Sequence, residues 1–121
     1  METYNRDKMY NRAVNLYMEA NPNPNSLKFV ANYMLVEEGT SYDYPDLESA
    51  REAPLALELF KFDYVERVFY MSNFVTVTKS PDVEWLEVQD EIRQLITKHL
   101  QEEKPLLSAD SKTSDDSNDI D

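Results

Sequence analysis

Val65-Glu66-Arg67-Val68-Phe69-Tyr70-Met71, then Ser72-Asn73, then Phe74-Val75-Thr76-Val77-Thr78, is the stretch on which the fold turns. Both flanks are rich in β-branched and aromatic residues, which suit a pleated, half-buried surface, and a two-residue link suits a tight reversal. The stretch reads as an antiparallel hairpin. Directly after it, Ser80-Pro81-Asp82 offers an N-cap, a first-turn proline and a first-turn acid. Trp85, Val88, Ile92, Leu95, Ile96 and His99 then fall on one face of a helix of about five turns.

Upstream, Val14, Leu16 and Met18 alternate with Asn15, Tyr17 and Glu19, the period of a strand with one face buried. Asn21-Pro22-Asn23-Pro24-Asn25 stops it, because proline has no N–H for a ladder and asparagine tolerates turn geometry. Leu27, Phe29 and Ala31 restart the alternation, which carries loosely to Val36 with a bend near Asn32. Gly39, the single glycine, marks a turn. Asp46 then serves as N-cap of a short helical piece, and Pro54 belongs in the first turn of a second one, with Leu55, Leu59 and Phe60 facing inward.

The sum is an α+β chain: a single two-layer domain in the order β-β-α-β-β-α, with a mainly antiparallel sheet and helices on one face. Residues 1–13 are expected to be a flexible N-terminal segment, 14–103 the domain, and 104–121 an acidic disordered tail.

Hydrophobic residues make up 41% of the 121, which suffices for one core. The net charge is −12, with 17 acids against 10 bases over residues 1–100 and 7 against 2 over 101–121. Such a surface repels phosphate backbones, so nucleic acid is not an expected partner. No apolar run is long enough to cross a bilayer and no secretory h-region opens the chain, so no membrane partner is expected and a cytoplasmic location is. There is no cysteine, which removes disulfides, thiolate catalysis and any cluster or zinc site built on this chain's own thiolates.

Asn21-Pro22-Asn23-Pro24-Asn25-Ser26-Leu27-Lys28-Phe29 resembles the opening signature of the N-terminal domain of the Nfu/NifU-like iron–sulfur scaffold proteins. Three further blocks agree in order: Glu38-Gly39-Thr40, Ala53-Pro54-Leu55-Ala56 with Leu59-Phe60, and Val68-Phe69-Tyr70 with Phe74-Val75-Thr76-Val77-Thr78-Lys79. Asn21, Tyr64 and Met71-Ser72-Asn73 depart from the family's pattern, and Asn73 is expected to supply the left-handed geometry of the hairpin turn. The family's second domain, with its C-x-x-C pair, has no counterpart here. The resemblance implies a role in iron–sulfur cluster assembly or delivery, with scaffold, carrier or client proteins as partners and no cofactor held by this chain.

Within that reading, Asn23, Pro24, Asn25 and Ser26, with Lys28 and Phe29 of the same motif, form either a presented recognition loop or a connection that satisfies its own backbone. Tyr42 and Tyr44, two of eight tyrosines, belong to a contact surface or to ordinary packing. His99, the sole histidine, reads as structural, since no nucleophile or carboxylate is spaced to work with it. Glu37, Glu38, Asp43 and Asp46 read as a solvated acidic loop, because their spacing matches no calcium loop. Trp85, Val88, Ile92 and Leu95 read as core. The expected function is a non-catalytic protein-binding adaptor with no metal or catalytic residue of its own, the alternative being a general interaction domain that kept the fold and changed the task.

Overall fold

The computed structural model describes residues 13–108. Strands β1 (Leu16–Ala20), β2 (Ser26–Ala31) and β3 (Ser41–Tyr44) precede a 3₁₀ turn (Glu48–Ala50) and helix α1 (Pro54–Leu59). Strands β4 (Val65–Met71) and β5 (Phe74–Lys79) and helix α2 (Trp85–Gln101) follow. The five strands form one sheet in the order β1-β2-β5-β4-β3, antiparallel at every pairing. The architecture is the expected α+β two-layer domain, with one strand more than the alternation revealed.

That extra strand is β3. Only Tyr42 and Tyr44 carry its inward face, too few positions to show a period, and Asp43 and Pro45 made it read as loop. It exists because β4 offers it a free edge, pairing Tyr42 with Tyr70 and Tyr44 with Val68. Strand β2 ends at Ala31 instead of running on to Val36. Asn73 is the reason: its carbonyl accepts from Ala31 N at 2.7 Å and its side-chain amide donates to Ala31 O at 3.1 Å. With Asn73 so engaged, the left-handed residue of the hairpin turn is Ser72, at φ 50°.

Cross-strand registry separates the two faces of the sheet. Phe29, Val68, Tyr70, Val75 and Val77 are all fully buried and share the covered face with Leu16 and Met18. Both helices lie on that side. Helix α2 contributes Val88, Ile92, Ile96, His99 and Leu100, and Trp85 meets Phe29 edge to face at 6.3 Å between ring centres. Each fully buried isoleucine stabilises this layer by about 2 kcal/mol. Helix α2 starts later than Ser80-Pro81-Asp82 suggested: Ser80 Oγ accepts from Asp82 N at 3.1 Å and shapes a turn, while Glu84 and Glu87 form the capping box. Pro54 does open α1.

The chain stays packed beyond the expected boundary at 103. His99 Nε2 donates to Pro105 O at 2.8 Å, Tyr70 Oη donates to Leu106 O at 3.1 Å, and Ser108 N donates to Glu52 O at 2.9 Å. Leu106 and Leu107 pack against the core. Residues 104–108 are therefore a strap. The rest of the expected tail, 109–121, and residues 1–12 of the expected N-terminal segment lie outside the described residues.

Candidate protein-interaction face

The Asn-Pro-Asn loop between β1 and β2 is built from its own amides. Asn21 Oδ1 accepts from Asn23 N at 3.0 Å, Asn23 Oδ1 from Asn25 N at 2.9 Å, and Asn23 O from Ser26 N at 3.0 Å. The loop is then fastened from outside. Trp85 Nε1 donates to Pro24 O at 3.1 Å, Lys79 N to Asn25 O at 2.8 Å, and Ser26 Oγ shares a hydrogen bond with Thr78 Oγ1 at 2.7 Å. Most polar groups of Asn23, Pro24, Asn25 and Ser26 are thus consumed within the fold. Of these four, Asn23 and Pro24 remain exposed, next to the exposed Pro22.

Of the other sequence-derived residues, Lys28 joins that loop in one surface, while Phe29, Tyr42 and Tyr44 do not. Phe29 is fully buried on the covered face, which corrects its reading as an interaction residue: a side chain there packs the core. Tyr42 and Tyr44 sit on the covered side beside the edge of β3. With Ser49, Arg51, Glu52 and Leu107 they line a pocket of about 560 Å³, and Tyr44 meets the Tyr70 ring edge on at 5.2 Å. Burial pushes the Tyr44 phenol up to about 12. Lys28 points away from both, onto the uncovered face of the sheet, which it shares with Ser26.

That face is ordered by strand registry into rows. One row runs Glu19, Lys28, Thr76, Phe69, Asp43, and the next runs Ser26, Thr78, Arg67. Asn23, Lys28, Arg67, Phe69, Phe74 and Thr76 help line a groove of about 520 Å³ there. The Lys28 ammonium lies 4.2 Å from the centre of the Phe74 ring and pairs with Glu19 at 3.3 Å. Arg67 grips Asp43 with both guanidinium arms, the Nε contact being 2.9 Å. That hydrogen bond holds the Asp43 carboxyl below its ordinary range. The arrangement has paired charges around aromatic side chains, which suits contact with another protein.

Sequence reasoning did not single out Tyr17, Arg67, Phe69, Met71 and Phe74 for this face. The signal was present in the hairpin: an antiparallel strand with one solvated face normally alternates apolar with polar, and here the outward positions carry Phe69, Met71 and Phe74.

Other candidates resolve locally. His99 is 5% exposed, and burial lowers its pKa below the ordinary histidine value. The four loop acids do not act together: Asp43 pairs with Arg67, and Asp46 Oδ1 accepts from Ser49 N at 2.8 Å. Glu37 contributes its carbonyl, accepting from Thr40 N across the turn that holds Gly39.

Comparison with known proteins gives a consistent family. The family model described as scaffold protein Nfu/NifU N terminal matches residues 16–103. NifU-like protein 5, mitochondrial, of Arabidopsis thaliana is 38% identical over 96 residues, covering 79% of this chain and 34% of that protein. The NFU1 iron-sulfur cluster scaffold homolog, mitochondrial, of Drosophila persimilis is 32% identical over 110 residues, covering 87% and 39%. The chain thus spans little more than a third of the length of these relatives. Among solved structures, a NifU-like protein from Saccharomyces cerevisiae superposes with a TM-score of 0.70 at 27% identity, covering 80% of this chain and 87% of that one. A Staphylococcus aureus protein shares the fold, with a TM-score of 0.56 at 21% identity over 66% of this chain and 94% of its own. The chain belongs to the Nfu/NifU scaffold N-terminal family.

Proposed function

We propose that this chain is a non-catalytic, protein-binding adaptor in iron–sulfur cluster assembly or delivery, and that it handles a cluster only through its partners. One observation carries the reading: a family match over residues 16–103 in 121 residues that contain no cysteine. Iron–sulfur clusters are held chiefly by cysteine thiolates. The link to cluster chemistry comes from relatives named as iron-sulfur cluster scaffolds. The partners are scaffold, carrier or client proteins of that chemistry, met through the uncovered sheet face and the exposed side of the Asn23-Pro24 loop. A non-enzymatic role is supported by His99, which is buried and engaged with Pro105.

Domain limits of 14–103 with the 104–108 strap describe the working unit. The proposed compartment is the cytoplasm, while the relatives' names give mitochondria; cell fractionation separates the two.

Anaerobic reconstitution with iron and sulfide tests the adaptor role. The expected result is no cluster absorbance travelling with the purified chain, together with recovery of iron–sulfur assembly or client proteins by affinity capture from the native cell. A stable, stoichiometric cluster on this chain alone overturns the reading.

A further inference from the structure

The uncovered face has an apolar end. Registry places Tyr17, Val30, Phe74 and Met71 in a single row across β1, β2, β5 and β4. Tyr17 is 58% and Met71 40% exposed. The loop after β2 crosses this same end, where Leu35 N and Val36 N both donate to Ser72 O; its exposed Met34 turns to the helix side, lining a cleft with Leu100 and Leu106. Large side chains like those of the row, gathered where a solvated sheet would carry polar ones, mark a contact surface.

Charge defines what fits there. Within the face, Lys28 is paired with Glu19 and Arg67 with Asp43, so an apolar surface laid over it strands no lone charge. The segment between Val36, whose N donates to Ser72 O, and Ser41, which pairs with Met71, carries Glu37 and Glu38, both exposed and without an ion pair among the described residues. We infer that this end of the sheet docks a cationic amphipathic segment of another protein, its apolar side chains on Tyr17, Met71 and Phe74 and its Lys or Arg borders facing Glu37 and Glu38. A second copy of this chain is a poor occupant, because both copies carry a charge of −12. The inference rests on the adaptor reading above and gives it a docking surface.

The test titrates the full chain with a fluorescent synthetic helical peptide of leucine and lysine whose two faces are segregated. A scrambled peptide of the same composition and a leucine–glutamate version are the controls. The segregated peptide is expected to bind about tenfold more tightly than the scrambled one, and the glutamate version not at all. Tyr17→Ser and Met71→Ser each weaken binding about threefold or more, and both together about tenfold. Leu86→Ser, at a site 87% exposed on α2, leaves it unchanged. Tyr17 and Met71 are exposed, so an unshifted melting temperature certifies that those variants fold. Equal binding of the scrambled peptide, binding of the glutamate version, or sensitivity to Leu86→Ser in place of Met71→Ser overturns the inference. The same variants used as capture baits separate the two readings. Undiminished recovery of iron–sulfur proteins by Tyr17→Ser/Met71→Ser removes this surface and leaves the adaptor role. Peptide docking at the row with no iron–sulfur protein captured removes the adaptor role and leaves the surface.

Discussion

Lys79, a residue 5% exposed at the end of β5, donates from its ammonium to Asn25 Oδ1 at 3.2 Å. It also donates to Ser80 O at 3.3 Å and lies 5.5 Å from the centre of the Trp85 ring. A buried cation thus ties the Asn-Pro-Asn loop, the last strand and the start of α2 into one node, with neutral acceptors in place of a carboxylate. The asymmetry of hydrogen-bond loss makes this testable.

Asn25→Ala leaves the cation in place without its side-chain acceptor, and a cost of about 2 kcal/mol is expected. Lys79→Met keeps the stem and removes the charge, and it should cost less. The two changes should combine less than additively. Urea unfolding of both variants and the double variant measures this, and a larger loss for Lys79→Met would contradict the node.

Tyr70 joins the sheet to both α1 and the strap. Its hydroxyl accepts from Ala56 N at 2.9 Å, satisfying an N–H in the first turn of α1, where Ala53 provides no side-chain cap. Burial pushes the phenol far above its ordinary range, so the hydroxyl stays protonated and able to donate to Leu106 O. Tyr70→Phe is expected to cost about 2 kcal/mol and to quicken proteolysis near Lys104. Unchanged cleavage there would show that the strap holds without Tyr70.

His99 sets a pH dependence. Burial lowers its pKa below 6.5, opposed by the Pro105 carbonyl, Glu58 and Glu102 and assisted by Lys104. The unfolded chain therefore takes up the proton first as pH falls. This contribution to stability is complete above about pH 6.5 and is lost below it. His99→Gln keeps an N–H for Pro105 and cannot titrate, so its unfolding midpoint should fall less between about pH 7.5 and 5.5. Identical pH profiles for the two proteins would exclude His99 as the source.

Gly39 closes the turn from Glu37 to Thr40 at φ 87°, and a Cβ added there meets nothing within 4 Å. Gly39→Ala should therefore cost about 1 kcal/mol from backbone strain alone. Gly39→Asn should cost less, since asparagine tolerates the left-handed region better. Thermal unfolding that ranks the two the other way would place the cost elsewhere.

Local sequence determined the elements whose signals are dense. The β4–β5 hairpin, the face of α2 and the first turn of α1 follow from β-branched runs, a helical period and one proline, because each is specified by neighbours along the chain. The family blocks were legible for the same reason: loops such as Asn23-Pro24-Asn25-Ser26 repeat a local hydrogen-bond solution. Tertiary structure alone decided the rest. Strand β3 exists through the edge of β4, and Ser72 takes the left-handed turn because Asn73 is bonded to Ala31, which is distant in sequence. Phe29 was assigned to the core, and Tyr17, Phe74 and Met71 to one exposed row, by which face the helices cover. The hairpin does not carry that choice, since Phe69, Met71 and Phe74 on one face and Val68, Tyr70 and Val75 on the other leave both faces apolar, and alternation there tells two faces apart without saying which meets water.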